Sequence, residues 1–154
     1  MRKQKGFSLI ELLIVVAIIL IIAAIAIPNL LKARIAANQA SAVGSLRTIV
    51  TSEVSYQSSY GGYSPDLPSL AGALPCTSSA ATACLIDPVL GAGQKSGYAF
   101  GYIKGAGVPI ASFTCTADAI TQGTTGDMHY FTDNSGVIRF NAAAVATAAD
   151  PALQ

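Results

Sequence analysis

Charge is scarce in this 154-residue chain: Asp, Glu, Lys and Arg make up 11% of it, against 52% hydrophobic residues. Nine basic and eight acidic side chains give a formal net charge of +1, which argues against the strongly basic surface of a nucleic-acid binder. Histidine occurs once, at His129, and no cysteine–histidine spacing matches a zinc site. Asp118, Asp127 and Asp133 lack the spacing of a calcium-binding EF-hand loop. There is no phosphate-cradling glycine loop and no Asn-x-Ser/Thr acceptor. Without a catalytic constellation, no catalytic residue, metal ligand or cofactor is assigned, and the chain reads as something other than an enzyme. His129 falls in a strand and reads as a structural histidine.

Polarity is also absent locally. Leu12 to Ile27 contains no polar side chain. Arg2, Lys3 and Lys5 precede this run. Pro28 and Asn29 interrupt it, and Leu30–Leu31 resume it before Lys32 and Arg34. Phe7 to Leu31 is 25 residues, enough to cross a hydrocarbon core of about 30 Å at about 1.5 Å per helical residue. No water is available there to satisfy peptide groups, so the segment is expected to be helical. A secretory signal peptide has a shorter apolar core followed by a small-x-small site, and no Ala-x-Ala site closes this one. The basic leader is expected on the cytoplasmic side, with the chain beyond about residue 31 outside it. One acid, Glu11, sits in the span at a cost of roughly 2.5–3.5 kcal/mol on insertion scales, and no partner charge lies within one turn on its apolar side.

Gly6-Phe7-Ser8-Leu9-Ile10-Glu11-Leu12 closely resembles the processing site of type IV pilins and pseudopilins, over roughly residues 1–55. The resemblance implies cleavage after Gly6 by a membrane prepilin peptidase, which also methylates the new amino group of Phe7. It implies that Glu11 faces the Phe7 ammonium of a neighbouring subunit during assembly. Removal of Arg2, Lys3 and Lys5 leaves six basic against eight acidic side chains. It further implies partners: other copies of the chain in a homopolymer, a membrane platform and an assembly ATPase, and membrane lipid before assembly.

The fold class expected is α+β: a long N-terminal helix, transmembrane in its first half and amphipathic in its second, packed on a small antiparallel sheet of three to four strands. The expected divisions are a leader at 1–6, a core helix at 7–31, an amphipathic helix at 32–60 and a globular domain at 61–154. Val43, Leu46, Val50 and Val54 fall at helical spacing and are expected to form the apolar face of the second half. Pro28 predicts a kink or a locally melted stretch near residues 24–28. Gly61–Gly62 is a stop signal. Tyr56, Tyr60 and Tyr63 cluster at this end and read as packing under the following loop.

Residues 61–96, with four prolines, read as a connecting region, with a short helical turn over Ser64–Leu70. An oxidising compartment and close spacing predict a disulfide between Cys76 and Cys84, with Cys115 left as a buried small hydrophobe. The sheet is expected over 97–141, with strands at Tyr98–Ile103, Ile110–Ala117, Met128–Thr132 and Val137–Phe140. The last pair is joined by a turn at Asp133–Gly136. Residues 142–154 read as a loose tail.

Three functions are consistent with these features. The first is the structural subunit of a type IV pilus, anchored in the inner membrane and then polymerised into an extracellular filament. The second is a pseudopilin of a type II secretion system, in a periplasmic pseudopilus. The third is a membrane-tethered minor pilin that binds DNA or a surface ligand. Beyond the membrane-proximal helix only Arg47, Lys95, Lys104 and Arg139 are available as cations, so nucleic acid is not an expected partner.

Overall fold

The computed structural model describes residues 7–73 and 75–153. Its elements are α1 (Leu9–Tyr60), α2 (Leu67–Leu70), α3 (Pro88–Gly91), β1 (Gln94–Lys95), β2 (Tyr98–Lys104), β3 (Phe113–Ala119), β4 (His129–Asp133) and β5 (Arg139–Asn141). The chain divides into two compact units, one ending at Arg34 and one beginning at Ile35. The architecture is α+β, as the sequence predicts.

In the first unit α1 presents apolar side chains in every direction. The window that defines its membrane-length character has a mean hydropathy of 3.3, and none of it is buried. The helix runs through Pro28 without a break, so residues 24–28 are not melted. Proline deletes one hydrogen bond of the helical ladder. One position on, the Asn29 side-chain amide donates to the Ile25 carbonyl at 3.0 Å and adds a contact beside the gap.

In the second unit the rest of α1 packs against an antiparallel sheet of order β1-β2-β3-β4-β5. The buried stripe is Ala42, Leu46, Ile49, Glu53 and Tyr56, alternating steps of four and three, the period of one helical face. The expected stripe through Val50 and Val54 is therefore wrong in phase. Val54 is 57% exposed, and an acid occupies the seam where an apolar residue was expected. Tyr98, Phe100, Phe113, Cys115, Ala117, Tyr130 and Thr132 supply the buried face of the sheet, on alternate positions of each strand as the pleat requires.

The sheet has five strands rather than three or four. The extra one, β1, pairs Gln94 with Ala99 and Lys95 with Tyr98. Ser96 and Gly97 turn this hairpin at φ 50° and 76°, the positive-φ pair that a two-residue turn matching the strand twist demands. Serine is not among the residues that advertise such a turn, and a two-residue strand carries no periodicity. The tail is also not loose. Leu153 N–H donates to the Ile138 carbonyl at 2.7 Å and Phe140 N–H to the Pro151 carbonyl at 3.2 Å. Arg139 Nη1 donates to the Asp150 carbonyl and Asn141 Nδ2 to Asp150 Oδ1, and Ala146 is buried.

Glu53 is fully buried. Ser64 N–H donates to its Oε2 at 2.9 Å, while Ser64 Oγ and Tyr102 Oη donate to its Oε1 at 2.5 and 2.6 Å. Neither of the two ion pairs among the described residues, Lys95–Asp87 and His129–Asp118, involves it. Hydrogen bonds alone thus offset the desolvation of this group. They tie α1 to the loop after it and to β2. Tyr102, Cys115 and Thr132 are neighbours across β2, β3 and β4, so a polar row crosses the inner face of the sheet near Glu53. Burial first, and then the Glu53 carboxylate, hold the Tyr102 phenol well above its ordinary value.

Removing the carboxylate strands the buried Ser64 N–H, an unsatisfied group costing about 1–3 kcal/mol, and leaves Ser64 Oγ and Tyr102 Oη only the Asp66 and Ser64 carbonyls as acceptors. Glu53→Ala is expected to destabilise the second unit by about 2–5 kcal/mol, and Glu53→Gln, which keeps one acceptor oxygen, by less. Urea unfolding of the detergent-solubilised chain measures both, and equal losses would refute the hydrogen-bonding account.

A pH dependence follows as well. Burial pushes the Cys115 thiol from 9.0 up to about 12, with Glu53 and Asp118 adding to it. Below pH 9 both folded and unfolded chains keep this proton. Between about 9 and 12 the unfolded chain releases it and the folded chain does not, so stability falls as pH rises. Urea midpoints should decline across that window, and Cys115→Ala should decline less steeply than the wild type.

Candidate functional site

Of the sequence-assigned N-terminal residues, Gly6 lies outside the described residues. Phe7 is 78% exposed, and every large side chain from Leu9 to Leu31 is exposed within the chain. A surface this apolar and this continuous marks a membrane or protein contact. Glu11 is exposed too. Its Oε2 accepts the Ser8 N–H at 2.9 Å, and the Leu12 N–H reaches the Ser8 carbonyl at 3.3 Å. Ser8 therefore stands at the N-cap and Glu11 at the third helical position. The pair makes the reciprocal half of a capping box, which satisfies one orphan donor and sets a negative charge against the positive end of the helix. The Ser-x-x-Glu spacing before an apolar run is the sequence signal for this cap.

The other sequence-assigned residues sit in the second unit. Cys76 and Cys84 are bonded to each other, while Cys115 is free and buried. The two short helices of the connecting region start alike: Asp66 caps α2 by accepting from Ser69 N–H, and Asp87 caps α3 by accepting from Leu90 N–H, each followed by a proline in the first turn. Tyr56 and Tyr60 lie with ring centroids 4.6 Å apart, and Tyr63 packs edge-on to Phe113 at 5.0 Å. Tyr63 thus pairs its ring with the sheet rather than with the other two tyrosines. His129 Nδ1 lies 2.7 Å from Asp118 Oδ1, and Asp133 accepts from Ser135 N–H. Asp118 and Asp133 have different partners, and Asp127 is exposed. The missed residue of consequence is Glu53. An acid among Ser52, Val54 and Ser55 looks like surface, and only its place in the four-three spacing of the stripe marks it as buried.

Residues 1–27 match the family model for the prokaryotic N-terminal methylation motif. The chain is 51% identical over 63 residues to the type IV wide pilus major component PilA4 of Thermus thermophilus, covering 41% of this chain and 48% of that protein. Its N-terminal segment is therefore similar to that of type IV pilins. A second pilin, the type IV major pilin protein PilA of Myxococcus xanthus, is 47% identical over 62 residues, covering 40% of this chain and 28% of that protein. The chain thus spans about half the length of one relative and just over a quarter of the other. No solved structure is detectably similar to it.

The cap makes a prediction for this N-terminus. Glu11→Gln keeps an acceptor for the Ser8 N–H and Glu11→Ala removes it, a loss of about 0.5–2 kcal/mol for a capping interaction. In micelles the amide of Ser8 should exchange faster in the alanine variant than in the glutamine variant. Identical exchange in both would remove the cap.

Proposed function

We propose that the chain is the structural subunit of a type IV pilus. The observation that carries this reading is a helical segment, apolar on all sides and unburied within the chain, that begins inside the matched methylation motif of residues 1–27 and carries a single acid. Such a segment is stable in lipid or among other apolar helices, and a subunit moving from one to the other exchanges equivalent surroundings. The two relatives named as major pilins support the pilus over the secretion pseudopilus.

The molecular course is as follows. The chain inserts with its basic leader on the cytoplasmic side and its second unit outside. Prepilin peptidase cuts after Gly6 and methylates the Phe7 amine. An assembly platform and ATPase then transfer the subunit into a filament, in which contacts are head-to-tail and do not close. In the filament the Glu11 carboxylate faces the Phe7 ammonium of the next copy. A charge pair is far stronger in an apolar core than in water, and an unpaired member is penalised there. Among the described residues Ser8 engages one carboxylate oxygen, Oε2, which leaves Oε1 for the neighbour.

Processing and assembly are separable. Gly6→Val is expected to block cleavage, so the protein keeps its leader and stays in the membrane. Glu11→Val is expected to insert and be cleaved but to give no homopolymeric filament. Mass spectrometry of the membrane fraction and of sheared filaments reads both. Filament protein beginning at Met1, or abundant filaments made solely of the Glu11→Val chain, would overturn the proposal.

A further inference from the structure

The Cys76–Cys84 bond holds down a small hairpin, and the hairpin covers tyrosine. Ser79 and Thr82 exchange backbone hydrogen bonds at 3.0 and 3.1 Å, so residues 79–82 form a closed turn between the two cysteines. The α1 side reaches up to it. Tyr56 Oη donates to the Ala80 carbonyl at 2.7 Å, and Tyr60 Oη lies 3.2 Å from Ser78 Oγ. Under the hairpin, Tyr56, Tyr60, Tyr63, Pro65, Val108 and Ile110 line a cavity of about 310 Å³, with Ala80 at its rim. Tyr56 is only 5% exposed.

The two arms of the loop are held unequally. Residues 83–86 are zipped to the end of α2: Ala83 N–H donates to the Ser69 carbonyl at 2.8 Å, Cys84 N–H to the Ala71 carbonyl at 3.4 Å, and Leu85 and Ile86 N–H both donate to the Leu70 carbonyl, at 2.8 and 3.2 Å. Ala83 and Ile86 are buried. The hairpin itself, residues 77–82, is exposed at every position and is tied down by the tyrosine contacts and the disulfide. Cys84 also sits at φ 59°, a left-handed conformation that a cysteine does not favour.

The bond is open to attack from one direction. Cys84 is exposed and Cys76 half-buried. Behind them stands Gly72, where a Cβ would come against Cys76 Sγ and 3.2 Å from Cys84 Sγ. The backbone thus shields one flank, and Cys84 is the more exposed of the two cysteines.

We propose that the Cys76–Cys84 bond is a redox-operated clasp: its reduction releases the 77–82 hairpin from Tyr56 and Tyr60 and opens the aromatic groove beneath. The reductant is a dithiol. One thiolate attacks Cys84 Sγ, forming a mixed disulfide, and Cys76 leaves as a thiolate and takes up a proton. The second thiol of the reductant then displaces Cys84, which is also protonated. The reductant ends as a disulfide, two electrons and two protons having passed to the protein. The Ala83–Ile86 arm and the sheet stay as they are, since no bond in them depends on the clasp.

The test is covalent labelling of tyrosine hydroxyls, read by peptide mass spectrometry, on the full detergent-solubilised chain with and without dithiothreitol. Without denaturant the bond should be reduced. Tyr56 labelling should then rise about eightfold, toward that of Tyr60, the ratio of their exposures being 39% to 5%. Tyr98 and Tyr130, buried against the sheet, should not change. The double variant Cys76→Ser, Cys84→Ser should reproduce the high Tyr56 labelling without reductant. The proposal is overturned if the native chain resists the dithiol, if Tyr56 is unchanged once the bond is broken, or if Tyr98 and Tyr130 rise with it, which would mean loss of the whole domain.

Discussion

A helix that is apolar on every side has no stable surface to offer water, and this one condition governs the first unit. About 0.8 kcal/mol accompanies each buried methylene. A run from Leu12 to Ile27 without a polar side chain therefore has to be enclosed by lipid or by similar helices. Within that enclosure a single carboxylate dominates the local electrostatics. Glu11 meets part of its need on its own chain, through Ser8, and leaves an oxygen free. Insertion and capping thus act on one side chain, the proposed subunit pairing draws on the same group, and the surrounding apolar residues raise the weight of each.

The second unit answers a different demand with a similar device. Glu53 is also a carboxylate in an apolar seam, but there the chain closes around it and supplies three donors from Ser64 and Tyr102. The difference lies in where the partners come from. Glu53 is satisfied within its own fold and fixes the register between α1 and the sheet. Glu11, exposed at the start of its helix, is satisfied only in part.

How much of this was legible follows from how locally each feature is determined. The N-terminal methylation motif, matched over residues 1–27, could be read because a motif of this kind is carried by linear sequence. The strand at Tyr98–Lys104 could be read because Tyr98, Phe100 and Tyr102 alternate, and the disulfide because eight residues separate its cysteines. The phase of the helical stripe could not. Val50 and Val54 are as apolar as Ile49, and what decides between them is a hydrogen-bond network between Glu53 and Tyr102, 49 positions apart. The tail was opaque for the same reason. An alanine-rich stretch has little to distinguish it from coil, and its anchors are backbone groups together with Arg139, Asn141 and Asp150 meeting from separate segments.

The way the tail is tied down has a consequence for crowding. An unpaired strand edge is a template on which another chain can add, and subunits that spend their working lives side by side meet such edges constantly. Here the outer flank of β5 is taken by the chain's own last residues, with Ala152 bridging Arg139 and Leu153 held at Ile138. The opposite flank is a strand of two residues that runs out of α3. Both margins of the sheet are blunted, which disfavours edge-to-edge pairing of one copy's sheet with another's and, in the proposed filament, leaves contact to the exposed helix.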